Sequence, residues 1–414
     1  MLSKNKLQKS YPKIIFGKNI SLPLEDAGNT FLVGAARTEK GRAYIRPNVL
    51  QFNSNYIVTD NHCEHLQCLA PSLIKNGYSV KAVSFGPKKS TIKKQIPNIS
   101  VVNYNPFHYL KEPTDIALMA EILSYPIEDP YIKPLCKHLL MACIGYICNF
   151  ETVKRQSFPV LVEYVKLCLS DISTFKKLFN QGLVLYSKAF WSTSYQIFSN
   201  ESLEVQLFVV GKLFSYLEPY GMTDDDGSYI YETSDTIEIK DFTNNPSALF
   251  IEISTNDKTF ALGQTLFLSQ LIHHFFRTEK STRITHFLLD EFFNIPLIPN
   301  FKNILAVSKT YNMIFSVLYQ DMNQLYSVYG EIDAKKLLKE FHTYVYFGGW
   351  IRDAAQYFCD LMNEFTPQNK KLKIMPEILL QYPRNKMLCL HKRQPPIVGK
   401  KYLLEKHPNF IKSC

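Results

Sequence analysis

Residues 284–292, Ile284-Thr285-His286-Phe287-Leu288-Leu289-Asp290-Glu291-Phe292, decide how the rest of the chain is read. Apolar and β-branched residues run without interruption into two adjacent carboxylates. A strand buried on both faces of a parallel sheet has this composition, and ligands of open α/β sheets sit beyond the carboxyl ends of their strands. The same residues also read, without any chemistry, as a core strand followed by a charged helix start. If the tip is a phosphoryl-transfer site, Asp290 is the residue to hold Mg²⁺ through water and Glu291 the residue to orient the attacking water.

The neighbouring stretches bear on that choice. Thr30 to Gly34 reads as a short strand that opens into a loop, with a helix after Lys40. Strand, glycine-opened loop and helix is the setting a phosphate-binding loop requires. The expected nucleotide-binding positions are Gly34, Thr38, Lys40 and Gly41: Gly34 allows the tight turn, Lys40 reaches the β- and γ-phosphates, and the backbone N–H groups at the helix start attract anions. Glu39 departs from the pattern, since the loop there wants no side chain so that backbone can approach phosphate. A carboxylate about 5 Å from a phosphate charge costs roughly 3 kcal/mol at an effective dielectric near 20, less if the side chain swings into solvent.

A chain of 414 residues with 46% apolar content is globular and long enough for two or three domains. Its net charge of +10 favours a polyanionic partner, DNA or an anionic surface. Nine cysteines at irregular spacing, several in helical apolar patterns, suit buried thiols in a reducing compartment. No signal-peptide core follows the basic start, and no apolar run reaches membrane-span length. His62, Cys63, His65 and Cys68 crowd together without zinc-site spacing, and helix packing is their expected role. The acidic turn Asp224-Asp225-Asp226-Gly227 lacks the flanking ligands of a calcium loop, with Met222 and Thr233 in their places.

Strand signals at 30–34, 55–59, 79–85 and 101–104 alternate with helical ones, and strands resume at 247–254, 284–289, 312–319, 343–347 and 386–391. Alternation of this kind predicts a parallel sheet with helices on both faces. Near Asp129-Pro130 the pattern becomes purely helical: Ile132, Leu135, Cys136, Leu139, Leu140, Cys143 and Ile147 recur at helical spacing. Further helices fit 158–169, 173–187 and 202–218. The expected organisation is a basic lead-in (1–29), a nucleotide-binding motor domain (30–128 and 222–414) and an inserted all-helical domain (129–221).

Val33-Gly34 through Gly41, Arg46-Pro47-Asn48-Val49-Leu50-Gln51, His286 to Phe292, Ile298-Pro299-Asn300-Phe301, the strand ending at Gln320, Tyr346-Phe347-Gly348-Gly349 and Pro395-Pro396-Ile397 together resemble the motor core of TraG-type conjugative coupling proteins, the DNA-pumping ATPases of type IV secretion. The resemblance implies a RecA-like P-loop NTPase sheet, ATP and Mg²⁺ as ligands, a homo-hexamer or a place in a hetero-assembly, and a helical domain over the motor's mouth. It implies that Gln320 senses the γ-phosphate. It also places Lys309 where relatives carry an arginine that reaches the neighbouring subunit's nucleotide, with Tyr311 replacing a second basic position. Relaxase and other type IV secretion components are the partners it implies. Coupling proteins usually begin with a membrane anchor that this sequence does not supply, so the expectation is a cytoplasmic protein, peripheral at the inner face of the cell membrane and tethered only through a partner. Arg42, Arg46, Lys88, Lys89, Lys93 and Lys94 are the candidates for sequence-independent DNA contact, although a run of lysines also serves as a solvated turn. Glu39, Tyr311 and the missing anchor leave a rival open: an ATPase-deficient relative acting as a structural or adaptor subunit.

Overall fold

Alternate residues of the apolar runs point to opposite faces, and both faces are covered. Phe31 and Val33 belong to one hydrophobic core with Phe287, Leu289, Phe315 and Val317, while Leu32 belongs to another with Val58, Leu288 and Leu318. In this computed structural model the described residues are 12–85, 92, 99–186, 189–223, 237, 245–253, 259–278, 281–365, 375–392 and 394–411. The strands are β1 (Lys13–Gly17), β2 (Ile20–Pro23), β3 (Thr30–Val33), β4 (Asn55–Asn61), β5 (Ser79–Val83), β6 (Ser100–Val102), β7 (Ser247–Ile253), β8 (Thr285–Leu289), β9 (Met313–Tyr319), β10 (Thr343–Tyr346), β11 (Lys386–His391) and β12 (Gln394–Lys400).

Ten of them form one sheet in the order β12-β11-β10-β3-β9-β8-β4-β7-β5-β6. Pairing is parallel from β10 through to β6, and β11 and β12 close one edge antiparallel. The expected α/β sheet of RecA-like type is what the chain builds. β9 lies between β3, which opens into the Gly34–Gly41 loop, and β8, which ends at Asp290 and Glu291. Val33 pairs with Tyr319, and Leu289 with Val317, so the tips of β3, β9 and β8 stand side by side.

Two segments differ from the expectation. The lead-in is not featureless: β1 and β2 form a hairpin whose Ile14, Ile15 and Phe16 are buried. The Asn48 side chain bonds both the N–H and the C=O of Ile15, which ties the hairpin to the helical turn after the phosphate loop. The Pro395-Pro396 segment is itself a strand. Proline cannot donate to a ladder, but β12 is an edge, where the missing N–H costs nothing.

The helical body comprises Ile132–Phe150, Phe158–Ser170, Ile172–Leu185, Phe190–Ser199 and Leu203–Leu217. The fourth of these, Phe190–Ser199, is a helix that the sequence pattern does not predict, and it carries Trp191 into a nest with Tyr146, Phe150 and Phe179. Gly145 permits this packing, since a Cβ there would lie 2.4 Å from that of Trp191. The preceding helix Pro113–Leu123 joins the same core through Met119, Ala120, Ile122 and Leu123, as do Leu262 and Leu266 of the helix Ala261–Arg277. No helix among the described residues is long and apolar enough to cross a membrane. Lys88, Lys89, Lys93 and Lys94, and the acidic turn at 224–227, lie outside the described residues.

Candidate functional site

Beyond the tips of β3, β8 and β4 lies a polar cavity of about 430 Å³, lined by the loop 37–42 and by Arg46, Asn61, Glu64, His65, Asp290 and Glu291. The loop is held from both neighbouring strands: Gly34 N–H donates to Tyr319 O at 3.1 Å and Ala35 N–H to Gly348 O at 3.1 Å. A side chain at position 34 would collide with Thr38 Oγ1 and Phe347 Cβ, at 2.6 and 2.8 Å, so the turn requires glycine. Thr38 closes the loop on itself, its hydroxyl donating to Ala35 O at 2.7 Å. The Lys40 ammonium is buried inside the loop, donating to Gly34 O at 2.7 Å and Ala35 O at 3.3 Å. Burial lowers its pKa, against the pull of Asp290 and Glu291.

Glu39 has φ +66°, a left-handed conformation that costs a non-glycine residue about 1 kcal/mol. This is the backbone reason the position favours glycine. Its side chain is exposed, so solvent screens part of the repulsion expected from the sequence. Position 41 has a different explanation. A Cβ there would lie 2.5 Å from His65 Cε1, so the imidazole fills the space a hydroxyl-bearing side chain would take.

His65 therefore does more than the helix packing expected of it. Its Nε2 lies 3.1 Å from Asp290 Oδ2, and its Nδ1 is 3.4 Å from Arg46 Nε. Asp60, at the end of β4, fixes the helix that carries it, accepting from His65 N–H at 2.9 Å and Leu66 N–H at 2.7 Å. Burial disfavours a charged His65, but the hydrogen bond to Asp290 and the charges of Asp60 and Asp290 raise its pKa overall. Burial likewise pushes Asp290 upwards, and His65, Lys40 and the Glu291 N–H outweigh it, holding the carboxyl below its ordinary value. Glu291 moves the other way, raised by burial and by the Asp290 charge beside it. Two adjacent carboxylates are thus pushed apart, one firmly ionised and one able to take a proton, which is the division of labour acid–base chemistry needs.

The cavity fits phosphate on the loop side: a buried lysine, a glycine turn and backbone in left-handed conformations at Arg37 and Glu39. On the acid side the donor set fits a hydrated divalent ion held by Asp290, with an imidazole where a protein hydroxyl is absent. Among the described residues no group of three or more His, Cys, Asp and Glu side chains is arranged to hold a metal by itself.

Gln320 sits half-buried at the tip of β9, its N–H bound by Gln324 Oε1 at 2.9 Å, next to the start of the loop. Lys309 lies at the other end of β9, where its ammonium donates to Glu25 O at 3.0 Å. Seven residues of strand separate it from the tip, about 20 Å, so it does not reach the cavity of its own chain. Arg42 and Arg46, expected on a DNA-facing surface, line the cavity instead; Arg42 pairs with Glu405, and Arg46 with Glu64 at 3.8 Å. Sequence reasoning missed His65, Asp60 and Lys401, the last buried against the loop and donating to Thr38 O at 2.9 Å. Only Asp60 had a local signal, an acid closing an apolar strand.

Comparison with known proteins agrees with this fold. No curated protein sequence matches the chain. Among solved structures it is similar to the bacterial conjugative coupling protein TrwBdeltaN70 in its unbound form, with 13% identity over 98% of this chain and 92% of that one and a TM-score of 0.72. It is also similar to the plasmid coupling protein TrwB in complex with the non-hydrolysable ATP analogue ADPNP, at 13% identity over 94% and 89% of the two chains, TM-score 0.66. VirB4 of Thermoanaerobacter pseudethanolicus aligns at 13% identity over 94% and 96%, TM-score 0.60. At these identities the likeness carries the fold. The family described as type IV secretory system conjugative DNA transfer matches residues 6–378, and the chain belongs to that family.

Proposed function

We propose that this member is an ATP-driven coupling protein, moving DNA or a relaxase–DNA complex towards the secretion machinery as a hexamer. The observation that carries the reading is the buried Lys40 ammonium, set in a loop after β3 and electrostatically coupled to the two carboxylates after β8. Lys40, Thr38 and the loop N–H groups bind the phosphates, and Gly34 keeps the turn tight. Asp290 would hold Mg²⁺ through water, with His65 fixing its carboxylate. When bound, the ion neutralises charge on the phosphoryl group being transferred. Glu291 orients the attacking water and accepts its proton, a role its raised pKa suits. Gln320, at the strand tip between loop and acids, reads the state of the terminal phosphate. Lys309, whose ammonium lies far from its own cavity, would act on the nucleotide of a neighbouring subunit. That TrwB has been solved with ADPNP and with ADP and Mg²⁺ supports the choice of ligands. DNA is held by charge, the chain being +10 overall, with Lys88, Lys89, Lys93 and Lys94 as candidate contacts.

One observation favours a second reading. His65 stands beside Gly41, where no side-chain hydroxyl is available to an ion, and its Nε2 engages Asp290; an adaptor subunit that binds no metal would tolerate both. Equilibrium titration with a fluorescent ATP analogue, with and without Mg²⁺, separates the two. Saturation in the micromolar range, tightened by Mg²⁺, is expected of the motor. Failure to saturate by about 1 mM, some 4 kcal/mol of binding energy, sinks the motor reading and leaves the adaptor.

A further inference from the structure

The chain's C-terminal strap crosses the back of the phosphate loop. β12 pairs only with β11, and the residues after it run over the helical turns that follow the loop. Lys401 N–H donates to Asn385 O at 2.8 Å, Glu405 pairs with Arg42, Gln51 Nε2 meets His407 Nε2 at 2.6 Å, and Asn409 Nδ2 donates to Leu50 O at 2.8 Å. In the middle of these ties the Lys401 side chain turns inward. It is 4% exposed, stands 5.0 Å above the Phe347 ring, and its ammonium donates to the Thr38 carbonyl at 2.9 Å.

A buried ammonium with one carbonyl as its hydrogen-bond partner is costly unless a charge answers it. The acid that interacts with it is Glu39, and Lys40 is the cation that opposes it. Peptide planarity supplies the second half of the argument. The C=O of Thr38 and the N–H of Glu39 share one trans peptide and point in opposite directions. Lys401 holds that C=O from behind the loop, since it is not among the residues lining the cavity, whereas Thr38 and Glu39 are. Holding the C=O outward turns the Glu39 N–H inward, to where a phosphate oxygen would lie.

We propose that Lys401 is a positioning residue of the phosphate loop: it orients the Thr38–Glu39 peptide and offsets the Glu39 carboxylate, so that a loop with glutamate at its glycine position binds phosphate. The proposal rests on the nucleotide reading above and deepens it. The loop of this chain is completed from the far C-terminal end, and strap and nucleotide are energetically linked.

Two measurements on the full chain test it. In the first, the chain is reductively ¹³C-methylated and Lys401 is assigned with Lys401→Arg. Lys401 titrates at about 8, with burial as the main cause, and moves lower in Glu39→Gly because a raising charge is removed. An ordinary lysine titration that ignores Glu39→Gly overturns the proposal without any nucleotide being present. The second is a cycle in binding of the fluorescent ATP analogue. Lys401→Met weakens binding by about tenfold beside Glu39 but by no more than about threefold in Glu39→Gly, since neighbouring charges couple non-additively. Equal losses in both backgrounds make Lys401 a structural residue and sink this inference alone. Absence of binding in every form, with the titration still responding to Glu39, sinks the nucleotide reading and this inference with it.

Discussion

Glu291→Gln lowers ATP turnover by about a thousandfold while leaving nucleotide affinity within about twofold of the wild-type value. The amide keeps the shape of the side chain and its contact with Asn294, 3.4 Å away, but cannot accept a proton from water. Asp290, Lys40 and the loop, to which binding is assigned in the proposal, are untouched. The same residue sets the pH dependence. Glu291 works ionised, and burial and the Asp290 charge raise its pKa. As pH falls through that raised value the base is lost, so the acid limb of turnover lies above the ordinary glutamate range. The limb disappears in Glu291→Gln, whose residual rate is flat across it. A steady-state phosphate assay over pH checks both statements; a variant with full turnover removes Glu291 from the chemistry.

Lys40→Met has the second large effect, acting on binding instead of turnover. The ammonium rests on two loop carbonyls, Gly34 O and Ala35 O, and is drawn towards the acids. A phosphate entering the cavity replaces those carbonyls with charged oxygens. Losing one charge-assisted contact of about 3 kcal/mol weakens ATP-analogue binding by about a hundredfold. Methionine fills the same buried volume, so the unfolding midpoint without nucleotide moves little. Isothermal titration of the variant decides the point, and an unchanged affinity places the phosphates elsewhere.

The sheet was legible because its strands are buried on both faces: Thr285–Leu289 and Met313–Tyr319 are buried throughout, mostly apolar, and end at the candidate site residues. Ligands of open α/β sheets sit beyond the strand tips, so Asp290, Glu291 and the Gly34–Gly41 loop were candidates from local pattern, while Gln320 was named through the family resemblance. The β1–β2 hairpin escaped because its strands are short and its burial depends on Asn48, more than thirty residues away. Phe190–Ser199 escaped because Ser, Thr and aromatic residues hide a helix that tertiary packing around Trp191 stabilises. β12 escaped because two prolines argue against a strand everywhere except at an edge. His65 and Lys401 were invisible for one shared reason. Each acts on the loop from a distant part of the chain, His65 through a space that Gly41 leaves open and Lys401 through a carbonyl that any residue at 38 would offer.

Those two residues also reframe the departures from an ordinary phosphate loop. Gly41 and Glu39 read as losses when taken alone. In the structure each has a counterpart, His65 beside Gly41 and Lys401 behind Glu39, and both counterparts are buried. Each counterpart costs desolvation energy, which its partners beside the loop offset, His65 through Asp290 and Lys401 through the Thr38 carbonyl.

The most direct test of the central claim, that this chain converts ATP hydrolysis into movement of DNA, is phosphate release measured with purified chain, Mg·ATP and duplex DNA. The account predicts hydrolysis stimulated several-fold by DNA, alike for unrelated sequences, falling steeply between low and physiological salt, and absent in Glu291→Gln. Nucleotide bound but never hydrolysed, with or without DNA, contradicts it and leaves the adaptor.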